Sequence, residues 1–517
     1  MRSASLPIAL LLAACTGERP PAAPANGPSI LWISLDTVRA DRLGVYGGPA
    51  ATPTLDGLAA RSVVFERAFT HFPETGLSHW SLLTGALPEL HGNVPGAGDS
   101  MWRGPTAAQL AKGAGYATGA FIGGITMTSE STGLDRGFDV YDDDFVIDPA
   151  DMKRPAADVV KRATDWIAGR DGAWFALVHL FDAHFPYTPA DPRRYDADYT
   201  GTIDGSDQVL RPYRDGAPLA ERDLTHVRAL YDAELTELDA AIAPLIAAAP
   251  DAIVVVTADH GESFEHDYLF NHRGSLADGV LHVPWIVHAP GLAARRISEP
   301  VSLVDALPTV AALAGWEEIE APIDGRNALP TPVAREHWAQ TDPWMPGRVA
   351  GPAPGPLLAL RTERWKVIWA GDGSVRAWDL EADPGEARAT TPPSELLDAK
   401  SRYEELISAR KDWQVPVRTR RMPDAHERGM LEALGYADPG NHSGNGPPGP
   451  PPGGHAGPPG PPPSGGPHGP PNPGAGPHGP PNPGGPPPGP PGPQGPPGPA
   501  TQPGGTSAPT PPPRPGG

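Results

Sequence analysis

Cysteine is nearly absent: Cys15 is the only one in 517 residues. No disulfide can close within the chain, and no cluster of thiolates can hold a metal. Positive charge is scarce too, with 40 Lys and Arg against 61 Asp and Glu and a formal net charge of -21. No basic stripe occurs along the chain. Binding a nucleic-acid backbone needs Lys and Arg to displace its counterions, so no nucleic-acid partner is expected. A small pocket can still be positive inside an acidic shell, which keeps an anionic small molecule in play. Long apolar runs are missing as well. The run nearest the start, Leu6 to Ala14, is too short to span a bilayer.

That short run has a second meaning. Arg2 supplies a positive start, and the run closes on Leu12-Ala13-Ala14-Cys15, which resembles the lipobox of bacterial lipoproteins. The resemblance implies cleavage before Cys15, lipid on its thiol, membrane attachment and a place in the cell envelope. Residues 1–14 are then a signal peptide and 15–28 a Pro-rich linker that holds the rest off the bilayer. At the other end, 438–517 is nearly all Gly and Pro, and Gly466 to Gly474 is repeated at Gly476 to Gly484. Glycine does not recur at every third residue through this stretch, so a disordered low-complexity tail is expected rather than a collagen-like trimer.

Between the ends, Ser29 to Asp36, Trp174 to Phe181 and Ala252 to Ala258 are apolar runs that lead into Asp36, Asp182 and Asp259. They read as strands buried on both faces. Helical patterns lie between them at Ala107 to Gly115, Pro155 to Ala168 and Leu219 to Ala249. Buried strands alternating with helices indicate an α/β fold, with a large mostly parallel sheet flanked by helices. Ligands bind beyond the carboxyl ends of such strands, where the three aspartates fall. Leu357 to Trp369 and Arg376 to Leu380 alternate like an antiparallel hairpin, followed by a helix at about Ser394 to Lys411. The expected division is a catalytic domain at 29–345 and a small antiparallel-sheet subdomain at 346–437.

Four segments carry chemistry: Ser34 to Gly47, Thr75 to Gly85, Phe181 to Tyr187, and Thr257-Ala-Asp-His-Gly-Glu262 with His272 after it. Asp and His at strand ends suit a hard or borderline divalent ion. Such an ion depresses the pKa of a bound hydroxyl and neutralises a phosphoryl or sulfuryl oxygen. Thr75 stands where a helix begins, and a helix N-terminus offers free N–H groups to an anion. A plain helix N-cap is the competing reading of Thr75. His184 and His272 can donate to anion oxygens or protonate a leaving group. Arg39 and Asp41 read as a structural ion pair. Thr37 is a candidate neighbour of the ligands. His71, His91, His179, His266, His282 and His288 read as core, rim or surface histidines.

Together these motifs resemble the sulfatase family of the alkaline phosphatase superfamily. Ser-Leu-Asp-Thr-x-Arg-Ala-Asp from Ser34, Ser-Leu-Leu-Thr-Gly from Ser81, Phe-Asp-x-His-x-Pro-Tyr from Phe181 and Asp-His-Gly-Glu from Asp259 carry the likeness. So do Val301 to Thr309, Asp324-Gly-Arg326 and Asp379 to Gly385. The resemblance implies an alkaline-phosphatase-like sandwich, with Asp36, Asp259 and His260 as metal ligands and Thr75 as the metal-bound nucleophile. It also implies that His184 and His272 contact the transferred anion. Asp182-Ala-His184 and His272 are spaced more tightly than the ligands of two-metal members. One divalent ion is therefore expected, with calcium, magnesium, manganese and zinc all open.

One departure matters. Sulfatases open a C/S-x-P-x-R motif with a Cys or Ser that is oxidised to formylglycine. Here the motif reads Thr75-Gly-Leu-Ser-His79, with no cysteine, proline or arginine. His79 in the arginine's place is expected to bind the anion or cap a turn. A sulfated threonine lacks the elimination route of the hydrated aldehyde, whereas a phosphothreonine hydrolyses by in-line attack at phosphorus. The expectation is a metal-dependent hydrolase of an anionic phosphate or sulfate ester, phosphate favoured. Its rivals are a phosphoethanolamine- or phosphoglycerol-type transferase and a catalytically inactive binding protein that keeps the fold.

Overall fold

Ile30–Leu35 (β1) is the axis of the molecule, and every one of its six residues is buried. Trp174–Leu180 (β5) flanks it in parallel on one side and Ile253–Ala258 (β6) on the other. All three are apolar without alternation because both faces of this sheet are covered. The computed structural model describes residues 27–92, 102–144, 153–265, 268–316, 319–330, 335–341, 347–348, 352–353 and 356–410. These belong to one unit, Met1–Ser443, and the other unit, Gly444–Gly517, lies outside the described residues, as do the leader, Cys15, most of the linker and 411–437.

The main sheet has nine strands. Beyond β5 come Ala117–Ile122 (β3) and Val140–Asp142 (β4), both parallel. Beyond β6 comes His282–His288, antiparallel to β6 and to Val63–Phe69 (β2). Arg295–Ile297 and Val301–Ser302 complete the edge on β2. The sheet is thus mixed, with a parallel centre. The long helix Glu221–Ala247 and the helix Ala156–Ala168 pack together. A second, four-stranded antiparallel sheet runs His337–Gln340, Leu357–Arg361, Trp365–Ala370, Val375–Asp379. The architecture is the expected one: a large helix-flanked sheet plus a small C-terminal antiparallel sheet.

The small sheet is pinned by charge. Lys366 is fully buried, and its Nζ lies 2.5 Å from Asp278 and also pairs with Glu386. Arg361 reaches the same Asp278 at 3.0 Å. A buried lysine is tolerable only with partners of this kind.

Register places the chemistry. Leu35 pairs with Leu180 on one side and with Ala258 on the other. Asp36, Phe181 and Asp259 therefore leave three neighbouring strands at one level, on the carboxyl rim.

Candidate active site

The helix Thr75–Thr84 is buried along its whole length. Glu74, not Thr75, caps it: the Glu74 side chain accepts from the Leu77 N–H at 3.0 Å. Thr75 as a plain N-cap is thereby corrected, since it is the first helical residue and its hydroxyl is available for other work. Gly85 ends the helix in the left-handed conformation (φ 70°) that costs glycine little. A helix buried all round must find partners for its polar side chains. Ser78 Oγ donates to the Asp259 carbonyl at 2.7 Å, and Thr75 Oγ1 donates to Asp36 Oδ2 at 3.2 Å. His79 lies 2.7 Å from the Thr75 carbonyl through Nδ1 and 2.8 Å from Ser34 Oγ through Nε2. The helix is therefore tied to both strands that supply carboxylates.

Asp36, Asp259 and His260 are fully buried, and one ligand atom from each lies within 4.8 Å of the other two. Their hydrogen bonds select which atoms face one another. Asp259 Oδ1 accepts the N–H groups of Thr37 (3.2 Å) and His260 (2.8 Å), which leaves Oδ2. His260 Nδ1 donates to the Gly261 carbonyl at 3.0 Å, which leaves the lone pair on Nε2. Asp36 Oδ2 holds Thr75 and His179, which leaves Oδ1. Asp36 Oδ1, Asp259 Oδ2 and His260 Nε2 have no hydrogen-bond partner among the described residues. Three buried orphan atoms of ligand type, converging, fit a divalent cation. Burial pushes the Asp36 carboxyl up to about 7 despite His260 and its hydrogen bonds, and burial together with Asp36 raises Asp259. Burial pulls His260 down, but Asp259 and Asp36 overcome it and raise its pKa. Two buried carboxylates side by side need positive charge between them.

Backbone detail supports the cradle. Thr37 sits at φ 57°, a strained value for a β-branched residue, and so points its N–H at Asp259. Tyr231 holds the Thr37 carbonyl at 2.8 Å. Gly261 must be glycine because a Cβ there would collide with the Gly279 carbonyl.

His184 and His272 flank the cradle. Their rings meet edge to face at 5.5 Å, and His272 stacks on His260 at 4.1 Å. His184 Nδ1 donates to the Phe185 carbonyl at 2.8 Å, and its ring stacks on Phe181. His272 Nδ1 faces Glu262 Oε1 at 3.4 Å, and Tyr187 donates to Glu262 Oε2 at 3.0 Å. Burial holds both imidazoles well below their usual pKa.

One sequence-based assignment changes. His79 has both ring nitrogens engaged, and burial lowers it to about 4, so it is a neutral strut rather than a cationic anion contact. Asp182 lies outside the ligand triad, and its Oδ1 accepts the Ala156 N–H at 3.0 Å where the helix Ala156–Ala168 begins. His179 was missed: it is fully buried and meets Asp36 Oδ2 at 3.0 Å. Inside a strand buried on both faces, apolar patterning does not say which way a side chain points. The Arg39–Asp41 ion pair is present at 2.8 Å, extended to Glu265 at 2.8 Å. His266 lies outside the described residues.

Comparison with known proteins adds the lineage. The uncharacterised sulfatase YidJ of Escherichia coli (strain K12) is 26% identical over 349 residues, 57% of this chain and 69% of its own. Human arylsulfatase A is 27% identical over 364 residues, 60% of this chain and 68% of its own. Among solved structures, the phosphonate monoester hydrolase of Silicibacter pomeroyi superposes with a TM-score of 0.58 at 22% identity, over 75% of this chain and 96% of its own. That of Agrobacterium radiobacter gives 0.59 at 20% identity, over 75% and 96%. At such identities the structures establish the fold. The family model described as Sulfatase matches residues 28–316, more than half of the chain. The chain belongs to the sulfatase family, and its Asp36, Asp259 and His260 cradle makes it a metal-dependent ester hydrolase of that superfamily.

Proposed function

We propose that the protein hydrolyses a phosphate ester through a covalent phosphothreonine at Thr75, with one divalent cation held by Asp36, Asp259 and His260. The observation that carries this reading is the Thr75 hydroxyl, 3.2 Å from a carboxylate of the triad, in a chain whose only cysteine is Cys15. When bound, the cation supplies positive charge that lowers the pKa of a nearby hydroxyl and neutralises the ester oxygens. Thr75 Oγ1 attacks phosphorus as the bond to the alcohol oxygen breaks. The Oγ1 proton leaves by way of Asp36 Oδ2, the acceptor it already faces, to water, so that Asp36 is a carboxylate again in the intermediate, and the departing alcohol oxygen takes a proton from His184 or His272. Water then attacks phosphorus, the bond to Oγ1 breaks, and inorganic phosphate leaves with Thr75 regenerated. The His184 and His272 imidazoles stand ready to exchange a proton with the attacking water, and a dianion beside them favours their protonated, donating form.

The names of the relatives span sulfatases and phosphonate monoester hydrolases, so the assay must separate these chemistries. Nitrophenyl phosphate, bis-nitrophenyl phosphate and nitrophenyl sulfate are compared with metal content, for wild type, Thr75→Ser and Thr75→Ala. Phosphate-ester turnover should exceed sulfate turnover. Thr75→Ala should lose at least about a thousandfold, and Thr75→Ser should keep part of the rate. Undiminished turnover by Thr75→Ala removes the nucleophile from the scheme. We further propose, from the leader alone, that Cys15 carries lipid and tethers the enzyme in the cell envelope. A Cys15→Ala chain should then move from the membrane to the soluble fraction.

A further inference from the structure

His179 lies on β5, in register with Ser34 of β1 and with Ile122 of β3. Its ring has no exposure, and its Nε2 is 3.0 Å from Asp36 Oδ2. A carboxylate accepts only, so Nε2 carries the proton and donates. Nδ1 is then a lone pair, buried and without a hydrogen-bond partner among the described residues. An apolar side chain would fill the same volume with no orphan nitrogen. What the histidine adds at this place is the bond to Asp36.

That bond has a specific consequence. The Asp36 carboxylate turns about a broad torsion, and hydrogen bonds decide which oxygen faces which way. Two donors reach Oδ2: Thr75 Oγ1 at 3.2 Å and His179 Nε2 at 3.0 Å. Together they leave Oδ1 for the triad. Thr75 loses its donor hydrogen whenever its oxygen becomes an ester, and only His179 then keeps Oδ2 engaged. The His179 ring is itself held edge to face by His79 at 5.2 Å and against Phe181 at 5.9 Å. His179 is not a member of the triad. We infer that His179 is a positioning residue, which holds Asp36 Oδ1 toward the cation throughout turnover. The inference rests on the metal-centre reading given above.

The test reads metal affinity directly. Chelator-stripped wild type, His179→Leu and His179→Gln are titrated with Mn²⁺ and with Zn²⁺ by calorimetry, after thermal melts of the metal-free forms. His179→Leu should weaken binding about 10- to 100-fold, as loss of a ligand-orienting bond does elsewhere. His179→Gln, whose amide reaches the Nε2 position, should recover most of it, while the metal-free melts coincide. Wild-type affinity in His179→Leu overturns the inference while leaving the metal centre intact. A wild type that binds neither ion overturns both. Should His179→Leu not fold, His179→Asn replaces it, because the shorter amide cannot reach Asp36. It must bind metal more weakly than His179→Gln, and equal affinities overturn the inference.

Discussion

Replacing His79 by leucine isolates the strut between the Thr75 helix and β1. The ring makes two buried hydrogen bonds, at 2.7 Å to the Thr75 carbonyl and 2.8 Å to Ser34 Oγ. Nδ1 donates to the carbonyl, so Nε2 accepts from the serine. The carbonyl keeps a second lone pair, and losing one bond to it costs about 0.5–1.5 kcal/mol. Ser34 is fully buried, and a stranded hydroxyl there costs about 1–3 kcal/mol. His79→Leu should therefore lower stability by about 1.5–4.5 kcal/mol, the sum of the two. The assay is urea unfolding with the metal chelated, so that cation binding does not enter. The double variant Ser34→Ala with His79→Leu removes the stranded hydroxyl and should recover at least about 1 kcal/mol over His79→Leu alone. His79→Asn, whose amide mimics Nδ1–H, should keep the Thr75 contact and more of the turnover than His79→Leu. A His79→Leu stability within about 0.5 kcal/mol of wild type, the range of an uninvolved surface change, would refute the strut. So would a double variant no more stable than the single.

Three further outcomes follow from the charges. Lys366→Met leaves the carboxylates of Asp278 and Glu386 with Arg361 as the remaining ion-pair partner of Asp278 among the described residues, and should cost about 3–5 kcal/mol in denaturant melts. An unchanged midpoint would mean that the small sheet is held by apolar packing alone. Burial pushes the Asp278 carboxyl up, but Lys366 and Arg361 overcome it and hold it below the ordinary range. Its folded pKa is the depressed one, so its stabilisation is full above about pH 4, the unfolded value, and is lost as pH falls below that. Acid titration should therefore destabilise wild type more steeply than Asp278→Asn, and parallel curves would contradict this. Adding cation at about a hundred times its Kd should raise wild-type stability by about 2.7 kcal/mol. The same addition should leave Asp259→Asn unmoved, and an equal gain in that variant would place the binding elsewhere.

The centre of the fold was readable because β1, β5 and β6 are apolar without interruption, and each leads to a carboxylate. The edge was not. His282–His288 carries Pro284, which argues against an interior strand. It is accommodated because the register between this strand and β2 shifts between Phe65 and Ala68, opposite Pro284. The His282 side chain then donates to the freed Glu66 carbonyl at 2.9 Å. β3, Ala117–Ile122, holds two alanines and a glycine and carries little strand signal of its own. The competing reading of Thr75 as a plain cap fails because the cap is Glu74, a residue type uncommon in that place.

The order of the site comes from asking where each buried polar atom goes. Asp259 Oδ1 and His260 Nδ1 each meet a backbone group of the next residue in the motif, so local sequence goes far toward dictating which atoms remain, with the Thr37 N–H as a distant second donor to Oδ1. Asp36 is oriented by partners 39 and 143 residues distant, and the second tie of His79 is to Ser34, 45 residues away, so no spacing along the chain announces them. That difference separates what a motif can say from what it cannot. Asp-His-Gly-Glu is a ligand motif by its own geometry. Thr75-Gly-Leu-Ser-His79 becomes a site only when β1 and β5 close over it. A histidine tied at both nitrogens, as His79 is, stiffens the framework. His184 and His272, with Nδ1 toward the Phe185 carbonyl and Glu262, stand beside the cation cradle where a reacting ester would lie. Exchanging the two kinds by mutation should therefore change stability in the first case and rate in the second.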